Sequence, residues 1–390
     1  MKILVLTPVY VTPQVDGIKL DTRAVHDLLA PLSEDNDIEV LFLYQHPFHD
    51  VRRYCSRKWR KRRRDGFEYC VDGIHVRLLE ILKFPKQYSV ELTKRQSMVV
   101  SAAIDELLTK GFCPDVVVAH MPTLFASAMD SPLLEGITRV GILHAADRLY
   151  AESKGFCKEK FTSFDAIFAR NAALSSFFAE IGCTAIKEGV AYSGIEVESY
   201  SSAIKRMGSR KYAAMYAGKL ISRKNVDLVI KAFSLVHKHD SAKLLIAGDG
   251  VEKESLQKLA MENLGRERCR FVGSVSRDDV LKLMSQSDVF VMPSVNETLG
   301  LVYLEAMSQG CIPVGTLGEG IDGTIVNGKN GFLVNPNLNS LTETMFRIEA
   351  MPAASALKMS SQAIETVRKL SREAASKNYI NLLASQRMCK

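Results

Sequence analysis

The sequence predicts an α/β protein of two domains, each built on a parallel sheet with helices on its faces. The chain has 390 residues, of which 47% are hydrophobic and 24% charged, so it is long enough for two hydrophobic cores. Short apolar runs alternate with amphipathic helical stretches, as they do in parallel α/β folds. This alternation lapses into small and basic residues at 201–211 and then begins again, which places the linker between the domains there.

Seven apolar runs in the first half of the chain have the length and composition of buried strands. They are 2–6, 38–43, 73–77, 115–119, 139–143, 166–169 and 184–190. Between these runs, apolar residues recur with the helical period at 19–30, 91–109 and 171–180. We therefore predict a Rossmann-like N-terminal domain over residues 1–200.

A second series of strands and helices begins at Tyr212. The predicted strands start at 212 and continue at 242–247, 270–272, 288–292 and 311–314, and the predicted helices are 224–238, 251–263, 276–286 and 300–309. Residues 341–390 contain helical patterns only. We predict a Rossmann-like C-terminal domain over residues 201–365, and a final helix at 366–390 that packs back on the first domain.

The formal charge of +7 comes from one basic run between Arg52 and Arg64, which contains no acidic residue. Its members are Arg52, Arg53, Arg57, Lys58, Arg60, Lys61, Arg62, Arg63 and Arg64, with Tyr54 and Trp59 among them. Without these nine cations the chain has 42 basic and 44 acidic residues. We predict an acceptor or membrane surface here, because a cation near anionic lipid contributes about 1 kcal/mol. A mobile solvated loop and nucleic-acid binding are the alternatives.

The cysteines and the N-terminus bear on the cellular compartment. Eight cysteines are scattered without a C-x-x-C pair, which favours free thiols in a reducing environment. The apolar run before Pro8 is too short for a secretory signal, and no later run approaches the ~20 residues that cross a bilayer. The expected location is the cytoplasm or the inner face of a membrane.

The densest group of candidate functional residues follows the strand that ends at Pro293. A loop carries Glu297, and a helix that begins near Gly300 carries Glu305. Free amides at such a helix start favour a phosphate or a sugar oxygen. Eight helical residues span ~12 Å, which exceeds the roughly 5–10 Å between the paired carboxyls of glycoside hydrolases. The two carboxylates are therefore expected to have separate roles.

Glu297 and Glu305 match the E-x7-E signature of the retaining glycosyltransferases of family 4, and residues 310–314 and 327–334 also resemble that family. The resemblance implies the GT-B fold, in which two Rossmann-like domains face each other across a cleft. It also implies that Glu297 faces the donor sugar and that Glu305 bonds the ribose hydroxyls. The remaining implied donor-binding positions on this segment are Thr298, Leu299, Gly300, Leu301 and Val302.

Two lysines follow the first strand of the second domain, after Gly218. Lys219 and Lys224 are predicted to stabilise the charge of the departing diphosphate, as fixed cations can do in place of a metal. The family pattern is G-R-x4-K, so Lys219 stands where an arginine is expected and lacks its bidentate fork. Arg223 is a candidate for the missing guanidinium, and an exposed basic turn is the alternative for the segment.

The first domain contributes Gly17 and His144 to the predicted site. Gly17 lies in the loop after the first strand, where family members often have two glycines beside the donor phosphate. His144 ends a strand at the place where family members carry a histidine that touches the donor sugar. His120 and Asp147 are weaker candidates, the latter for orienting the acceptor. A plain turn and structural histidines are the alternatives.

Two further strand ends in the second domain fit a nucleotide site. Residues 246–250 end a strand with two glycines, and Val275 follows the next strand, where the family reads the base through main-chain groups. Glycine after a strand is also common in ordinary turns.

Together these features predict a retaining glycosyltransferase that moves a sugar from a nucleotide diphosphate donor, with UDP as the expected nucleotide. The expected acceptor is a hydroxyl of a glycan or of a lipid-linked substrate, as in polysaccharide biosynthesis, with an anionic membrane surface as a further partner. No metal ion or other cofactor is expected. The alternatives are a nucleotide-sugar epimerase, a phosphorylase, and a non-catalytic protein that binds a nucleotide sugar or polyanion.

Overall fold

The computed structural model describes residues 1–13, 23–85, 87, 90–196, 211–239 and 241–387. The chain forms two compact units. Unit 1 comprises Met1–Gly194 and Arg372–Lys390, and unit 2 comprises Ile195–Ser371. The chain passes from unit 1 to unit 2 six residues before the predicted domain boundary, and it returns to unit 1 six residues after the predicted start of the final helix. Gly17 and all but the last residue of the predicted linker at 201–211 lie outside the described residues.

Unit 1 contains an eight-stranded sheet with the order β3-β4-β2-β1-β5-β6-β7-β8. The strands are β1 (Lys2–Thr7), β2 (Asp37–His46), β3 (Glu68–Val71), β4 (Ile74–Leu82), β5 (Val116–His120), β6 (Thr138–Leu143), β7 (Ala166–Ala169) and β8 (Ile186–Val190). All seven predicted strands of this half are present. The additional strand, β3, is antiparallel to β4. Asp72 and Gly73 join them with positive φ angles of 47° and 76°, a hairpin turn that the Asp-Gly pair itself could have indicated.

The helices of unit 1 cover both faces of its sheet. They are α1 (His26–Leu29), α2 (Val51–Tyr54), α3 (Arg57–Asp65), α4 (Lys94–Thr109), α5 (Pro122–Met129), α6 (Ala145–Lys154), α7 (Ala172–Glu180) and, from the end of the chain, α14 (Arg372–Arg387). Tyr379 and Leu383 of α14 are fully buried in the same hydrophobic cluster as Ile3 and Val5 of β1. The last helix therefore completes the core of unit 1.

Unit 2 contains a six-stranded, fully parallel sheet with the order β11-β10-β9-β12-β13-β14. The strands are β9 (Tyr212–Ala217), β10 (Leu244–Ala247), β11 (Cys269–Gly273), β12 (Ser287–Val291), β13 (Ile312–Thr316) and β14 (Phe332–Val334). The helices are α8 (Val226–Val236), α9 (Lys253–Arg268), α10 (Arg277–Met284), α11 (Leu301–Ser308), α12 (Leu338–Glu349) and α13 (Ala353–Arg368). Only β14, which is three residues long, was not predicted.

The strand order locates the ligand-binding edge of unit 2. Counted within the unit, the order is 3-2-1-4-5-6, the arrangement of the dinucleotide-binding fold. The chain reverses direction across the sheet between β9 and β12, which are direct neighbours. Ligands bind outside the carboxyl ends of the strands at such a switch point. The loops that follow β9 and β12 carry Lys219 and Lys224 on one side and Glu297 on the other.

Candidate functional site

The loop after β9 is packed tightly against the loop after β10. A Cβ atom added to Gly248 would lie 1.8 Å from the carbonyl oxygen of Gly218, and one added to Gly250 would lie 2.3 Å from that of Leu220. The glycines at 246–250 are therefore required by contact between two loops of the protein itself. This differs from the interpretation that they make room for a ligand.

Lys224 and Glu297 form an ion pair at the switch point. The Nζ atom of Lys224 donates to Oε2 of Glu297, and Nη1 of Arg223 lies 3.5 Å from the same oxygen. Only 8% of Lys224 is exposed, whereas Arg223 and Lys219 are exposed. The structure thus brings Lys224 and Glu297 together, with Arg223 as a second cation on the carboxylate.

Backbone contacts hold the two loops in this arrangement. Asn225 adopts the left-handed conformation, with φ of 52°, and its side chain donates to the carbonyl of Pro293 at 2.8 Å. The amide of Val295 donates to the carbonyl of Arg223, also at 2.8 Å. Asn is one of the few residues that adopts this conformation readily. Asn225 therefore sets the position of Lys224 against the loop that carries Glu297.

Burial lowers the pKa of Lys224, and the charge of Glu297 opposes this shift. Repulsion from Arg223 and Lys219 contributes further lowering. An ammonium group has three donors, so its contacts with Glu297 and with the Met292 sulfur leave one donor for a second anion. The pair is therefore suited to receive a phosphate group beside a carboxylate.

Glu319, which the sequence analysis missed, fixes the backbone of Glu297. Its Oε2 atom accepts from the amide of Glu297 at 2.9 Å, and the amide of Gly320 donates to the carbonyl of Glu297 at 3.0 Å. A Cβ atom at Gly320 would lie 2.2 Å from the carbonyl oxygen of Thr298. The only sequence signal for this contact is the Gly-Glu-Gly triplet at 318–320.

Glu305 lies on α11 and has a different partner. Nε of Arg277 donates to its Oε1 atom at 2.7 Å, and the other arm of the guanidinium donates to the carbonyl of Glu196 at 2.8 Å. The Glu305 side chain is 15% exposed. The two carboxylates of the signature therefore bind different cations, and Arg277 is a further residue that sequence reasoning did not identify.

The other predicted donor-binding positions of unit 2 lie in two segments, one around the start of α11 and one after β11. Gly300 is the N-cap of α11 and has φ of 74°. A side chain at Gly300 would collide with the ring of Tyr303 at 2.8 Å. Thr298 and Leu299 precede this cap, and Leu301 and Val302 begin the helix. Val275 follows β11, which is separated from β12 by two strands, so it lies farther along the sheet edge than Glu297.

His144 of unit 1 belongs to a buried chain of polar groups. Its Nε2 atom is 3.1 Å from Nδ1 of His120, whose Nε2 atom is 3.0 Å from the hydroxyl of Tyr379. Asp147 accepts from the amides of His144 at 2.8 Å and of Thr123 at 3.1 Å. Asp147 thus caps α6 and α5, so it has a structural role in addition to the predicted acceptor role.

Burial shifts the pKa values of His144, His120 and Asp147. It lowers the pKa of His144 and, together with repulsion from His144, that of His120 well below the usual value. It raises the pKa of the Asp147 carboxyl to about 6. Both imidazoles are consequently neutral at pH 7, and each can accept one hydrogen bond and donate another.

Arg170 is a further polar residue at this edge of the sheet, and the sequence analysis did not identify it. His120 ends β5, and His144 and Arg170 directly follow β6 and β7, the next two strands of the sheet. Only 2% of Arg170 is exposed, and burial lowers its pKa to about 10. It donates to the hydroxyl of Ser193, while its Nη1 atom has no acceptor among the residues that the structure describes. A buried guanidinium with a spare donor is suited to an anionic or hydroxylated ligand.

The depressed histidine pKa values predict acid sensitivity of unit 1. Below pH 6.5 the unfolded chain binds protons that the folded imidazoles do not, so stability falls as pH decreases. The free energy of unfolding should decrease between pH 7.5 and pH 5.5. This decrease should be about 1.4 kcal/mol smaller in His144→Asn than in the parent protein, if the imidazole of His144 has a pKa of about 6.5 in the unfolded chain. Urea unfolding followed by the fluorescence of Trp59, the sole tryptophan, reports on unit 1 alone.

His49 provides the control for this measurement, because it is exposed in the same unit. The free energy of unfolding of His49→Asn should decrease over this pH range by as much as that of the parent protein. Equal losses in the parent and in His144→Asn would contradict the predicted neutral state of His144.

The basic run is helical, as α2 and α3, and its aromatic members face inwards. Trp59 is 3% exposed and packs against the ring of His46, with 4.4 Å between the ring centroids. Arg62 stacks on Trp59 at 4.7 Å and donates to the buried carboxylate of Glu80. The prediction that Trp59 and Arg62 belong to a surface patch was therefore wrong, because this pair fills the space between α3 and the sheet.

The rest of the run is divided between packing and solvent. Arg63 stacks on the ring of Tyr54 at 3.7 Å and donates to the Tyr54 carbonyl at 2.7 Å. Five cations are exposed, namely Arg52, Arg57, Lys58, Arg60 and Lys61. The side chains of Arg53 and Arg64 lie outside the described residues. A smaller cationic surface than predicted therefore remains on α2 and α3.

Two absences in the described part of the chain bear on metal binding and on membrane insertion. No group of three or more His, Cys, Asp or Glu side chains is placed to hold a metal ion there. Among the same residues, none of the helices combines the length and apolar character needed to span a bilayer.

Residues 201–369 match the family model described as Glycosyl transferases group 1, so unit 2 carries a domain of this kind. Sulfoquinovosyl transferase SQD2 of Arabidopsis thaliana is 31% identical over 185 residues, which are 44% of this chain and 35% of that protein. The lipopolysaccharide core biosynthesis glycosyltransferase LpsE of Rhizobium meliloti (strain 1021) is 34% identical over 175 residues, 44% of this chain and 49% of that protein. The matches span between about a third and a half of these relatives.

Solved structures are similar over nearly the whole chain. Anabaena HepE in complex with UDP and glucose has a TM-score of 0.66 at 16% identity, and the match covers 99% of this chain and 100% of that one. Sucrose-phosphate synthase of Thermosynechococcus elongatus has a TM-score of 0.71 at 15% identity, with both chains fully covered. These similarities confirm the predicted fold class, the GT-B fold with two Rossmann-like α/β domains.

Proposed function

We propose that this chain is a glycosyltransferase that moves a sugar from a nucleotide diphosphate donor to an acceptor hydroxyl with retention of anomeric configuration and without a metal ion. The observation that carries the proposal is the buried Lys224 beside Glu297 at the switch point of the unit 2 sheet. A cation and a carboxylate side by side suit a substrate in which a diphosphate adjoins a polyhydroxylated ring. The glycosyl transferases group 1 match over the same unit supports this assignment.

Residues of unit 2 have different roles in the proposed reaction. Lys224 and Lys219 offset the negative charge that develops on the diphosphate as the bond between the sugar C1 and the phosphate oxygen breaks. Amides at the start of α11 bind sugar hydroxyls or phosphate. Glu297 positions Lys224 and accepts from the sugar, and Glu305 accepts from the ribose.

Retention follows when the acceptor enters on the face from which the diphosphate leaves. The acceptor oxygen bonds to C1, and its proton passes to the departing phosphate oxygen, so no protein nucleophile is needed. His144 is proposed to contact the donor sugar as a neutral imidazole, with its ring oriented by the contact between its Nε2 atom and Nδ1 of His120.

The substrates are proposed from the resemblance and from similar proteins. UDP is the proposed nucleotide, and HepE, which shares the fold, has been solved with UDP and glucose bound. A glycan or a lipid-linked acceptor is proposed, in line with the name of the partial relative LpsE, a lipopolysaccharide core biosynthesis glycosyltransferase. The exposed cations of α2 and α3 are proposed to lie at an anionic membrane surface.

A thermal-shift screen tests the donor. A ligand that binds only the folded state stabilises it by about 2.7 kcal/mol at a hundredfold excess over its Kd. UDP-sugars and UDP should raise the melting temperature, while UMP and free hexoses should have smaller effects because they lack the diphosphate. A screen in which no nucleotide diphosphate or nucleotide sugar raises the melting temperature would count against the proposal.

Turnover then tests the reaction type. The product formed from an α-linked donor should be α-linked by NMR, and a chelator should leave the rate unchanged. A β-linked product would contradict retention, and loss of activity with chelator would contradict metal independence. Donor consumption without any acceptor would instead indicate the epimerase.

A further inference from the structure

A cavity of about 560 Å³ lies beside the outer edge of β4 in unit 1. Six consecutive residues of that strand, 77–82, border it, so it adjoins the strand edge rather than one face of the sheet. The neighbouring strand β3 pairs only with the part of β4 from Ile74 to Arg77. The cavity therefore occupies the position where a longer β3 would continue.

Side chains bind the carbonyl groups along this strand edge. The hydroxyl of Tyr54 donates to the carbonyl of Glu80 at 3.5 Å, and the amide of Gln96 donates to the carbonyl of Leu82 at 2.7 Å. In a β-strand the N–H group of a residue points to the same edge as its carbonyl. The amides of Glu80 and Leu82 therefore point towards the cavity as donors.

The cavity has cations at its rim. Arg63 comes from α3 and Arg95 from the first turn of α4, where Arg95 is exposed. Arg77 also borders the cavity but is ion-paired with Glu106. Glu80, the one bordering carboxylate among the side chains that the structure describes, is bound by Arg62 and His46. The charge presented to a ligand is consequently positive.

Apolar side chains form most of the rest of the lining. Phe84 and Val99 are 49% and 42% exposed, which is high for large apolar groups on one small surface. Leu79 and Ile81 of β4 continue this apolar lining inwards. An apolar cavity with a few cations at its rim is complementary to a molecule that has an anionic head and a hydrocarbon body.

We propose that this cavity binds an anionic membrane lipid, with the phosphate at Arg63 and Arg95 and the start of the acyl chain against Phe84 and Val99. A membrane source is favoured over a soluble anion because α2 and α3, which border the cavity, also carry the exposed cations of the basic run. The inference rests on the membrane surface of the proposed function and adds to it a lipid site in which binding requires no sugar transfer.

Two variants with matched controls test the site. Val99→Glu places a carboxylate at the cavity, whereas Met98→Glu places the same charge on the adjacent residue, which is 64% exposed and outside the lining. Arg95→Gln removes a cation from the rim of the cavity. Its control is Lys94→Gln, which removes the cation of the adjacent residue, a residue outside the lining. Trp59 fluorescence confirms that each variant is folded.

The probes are dihexanoyl phosphatidic acid as a soluble lipid, inorganic phosphate, and phosphatidylcholine vesicles with and without phosphatidylglycerol. Val99→Glu and Arg95→Gln should weaken binding of dihexanoyl phosphatidic acid about tenfold, which corresponds to about 1.4 kcal/mol. Both controls should bind within twofold of the parent. Vesicles should bind the parent only when they contain phosphatidylglycerol, and Val99→Glu should reduce this binding more than Met98→Glu.

Three results would overturn the proposal. Val99→Glu and Met98→Glu could weaken binding equally, which would indicate general charge repulsion. Inorganic phosphate could bind as tightly as the short lipid, which would indicate a site for a free anion. All variants could bind dihexanoyl phosphatidic acid like the parent protein. Donor-induced thermal shifts are measured separately, so failure of the lipid site and failure of the proposed transferase remain distinguishable.

Discussion

Lys224→Met is expected to lower kcat by about 10²–10³, the usual cost of removing one preorganised group that stabilises developing charge. Methionine keeps most of the length of the side chain and removes only the ammonium. The effect should be large because Lys224 is 8% exposed, and a charge interaction is stronger where water is excluded. Affinity for UDP should fall more than affinity for UMP, since the ammonium acts on the diphosphate.

Steady-state kinetics and calorimetric titration with UDP and UMP measure these effects. Lys231→Met is the control, because Lys231 lies on the neighbouring helix α8 and forms only a half-exposed pair with Asp227 at 2.9 Å. It should retain the kinetics of the parent. If Lys224→Met kept kcat within threefold of the parent, Lys224 would have no role in stabilising the leaving group.

Substitution by arginine should have different effects at Lys219 and at Lys224. Arginine is the residue that the family pattern places at this exposed position, and its fork binds phosphate oxygens in pairs. The substitution should leave kcat unchanged or raise it, whereas Lys224→Arg would force a larger group into the buried position beside Met292, whose sulfur lies 3.8 Å from Nζ. The structure therefore assigns different steric limits to the two cations.

The positions of the strands were the most predictable part of the molecule. The buried strands of both sheets are continuous apolar runs, and a parallel sheet requires such runs because both of its faces are covered. β3 and β14 were not predicted because neither of them is a continuous apolar run of typical strand length. β3 is a partly exposed edge strand with alternating burial, and β14 has three residues, too few to show a period.

Motif positions were also predictable, but their partners were not. Lys224 and Glu297 lie 73 residues apart and meet because β9 and β12 are adjacent in the sheet. Glu319, in the loop after β13, and Arg277, the first residue of α10, bind the two signature glutamates from segments that the E-x7-E pattern does not include. Arg170 follows a strand in the same way as His144 does, but its burial depends on packing that a single sequence does not specify.

The basic run shows why composition alone misplaces residues. Nine cations without an acidic residue suggested a continuous surface. In an α-helix, however, one face can pack on the sheet while the opposite face remains in water. Trp59 and Arg62 lie three positions apart on the packed face of α3, where Glu80 supplies the compensating charge. The acidic partner is distant in sequence and so did not enter the local charge count.

Glu297→Gln is expected to lower kcat by about 10²–10³ and to change its dependence on pH. The amide keeps the size of the carboxyl group but loses its charge. Burial lowers the pKa of Lys224, and Glu297 is the main influence that raises it. Without the carboxylate the Lys224 pKa should fall further. Because diphosphate binding needs the protonated ammonium, the loss of UDP affinity at high pH should begin at a lower pH in the variant.

Glu305→Gln is the matched control, because its carboxylate binds Arg277 rather than Lys224. This variant should bind UDP more weakly at every pH, as expected for a lost ribose contact, while the alkaline decrease in affinity stays where it is in the parent. UDP affinity measured by calorimetry from neutral to alkaline pH distinguishes the two glutamates. An unchanged alkaline decrease in Glu297→Gln would mean that Glu297 does not control the charge of Lys224. Unchanged turnover would remove Glu297 from the proposed active site, because a carboxylate bound to the only strongly buried lysine of the described residues would then serve stability alone.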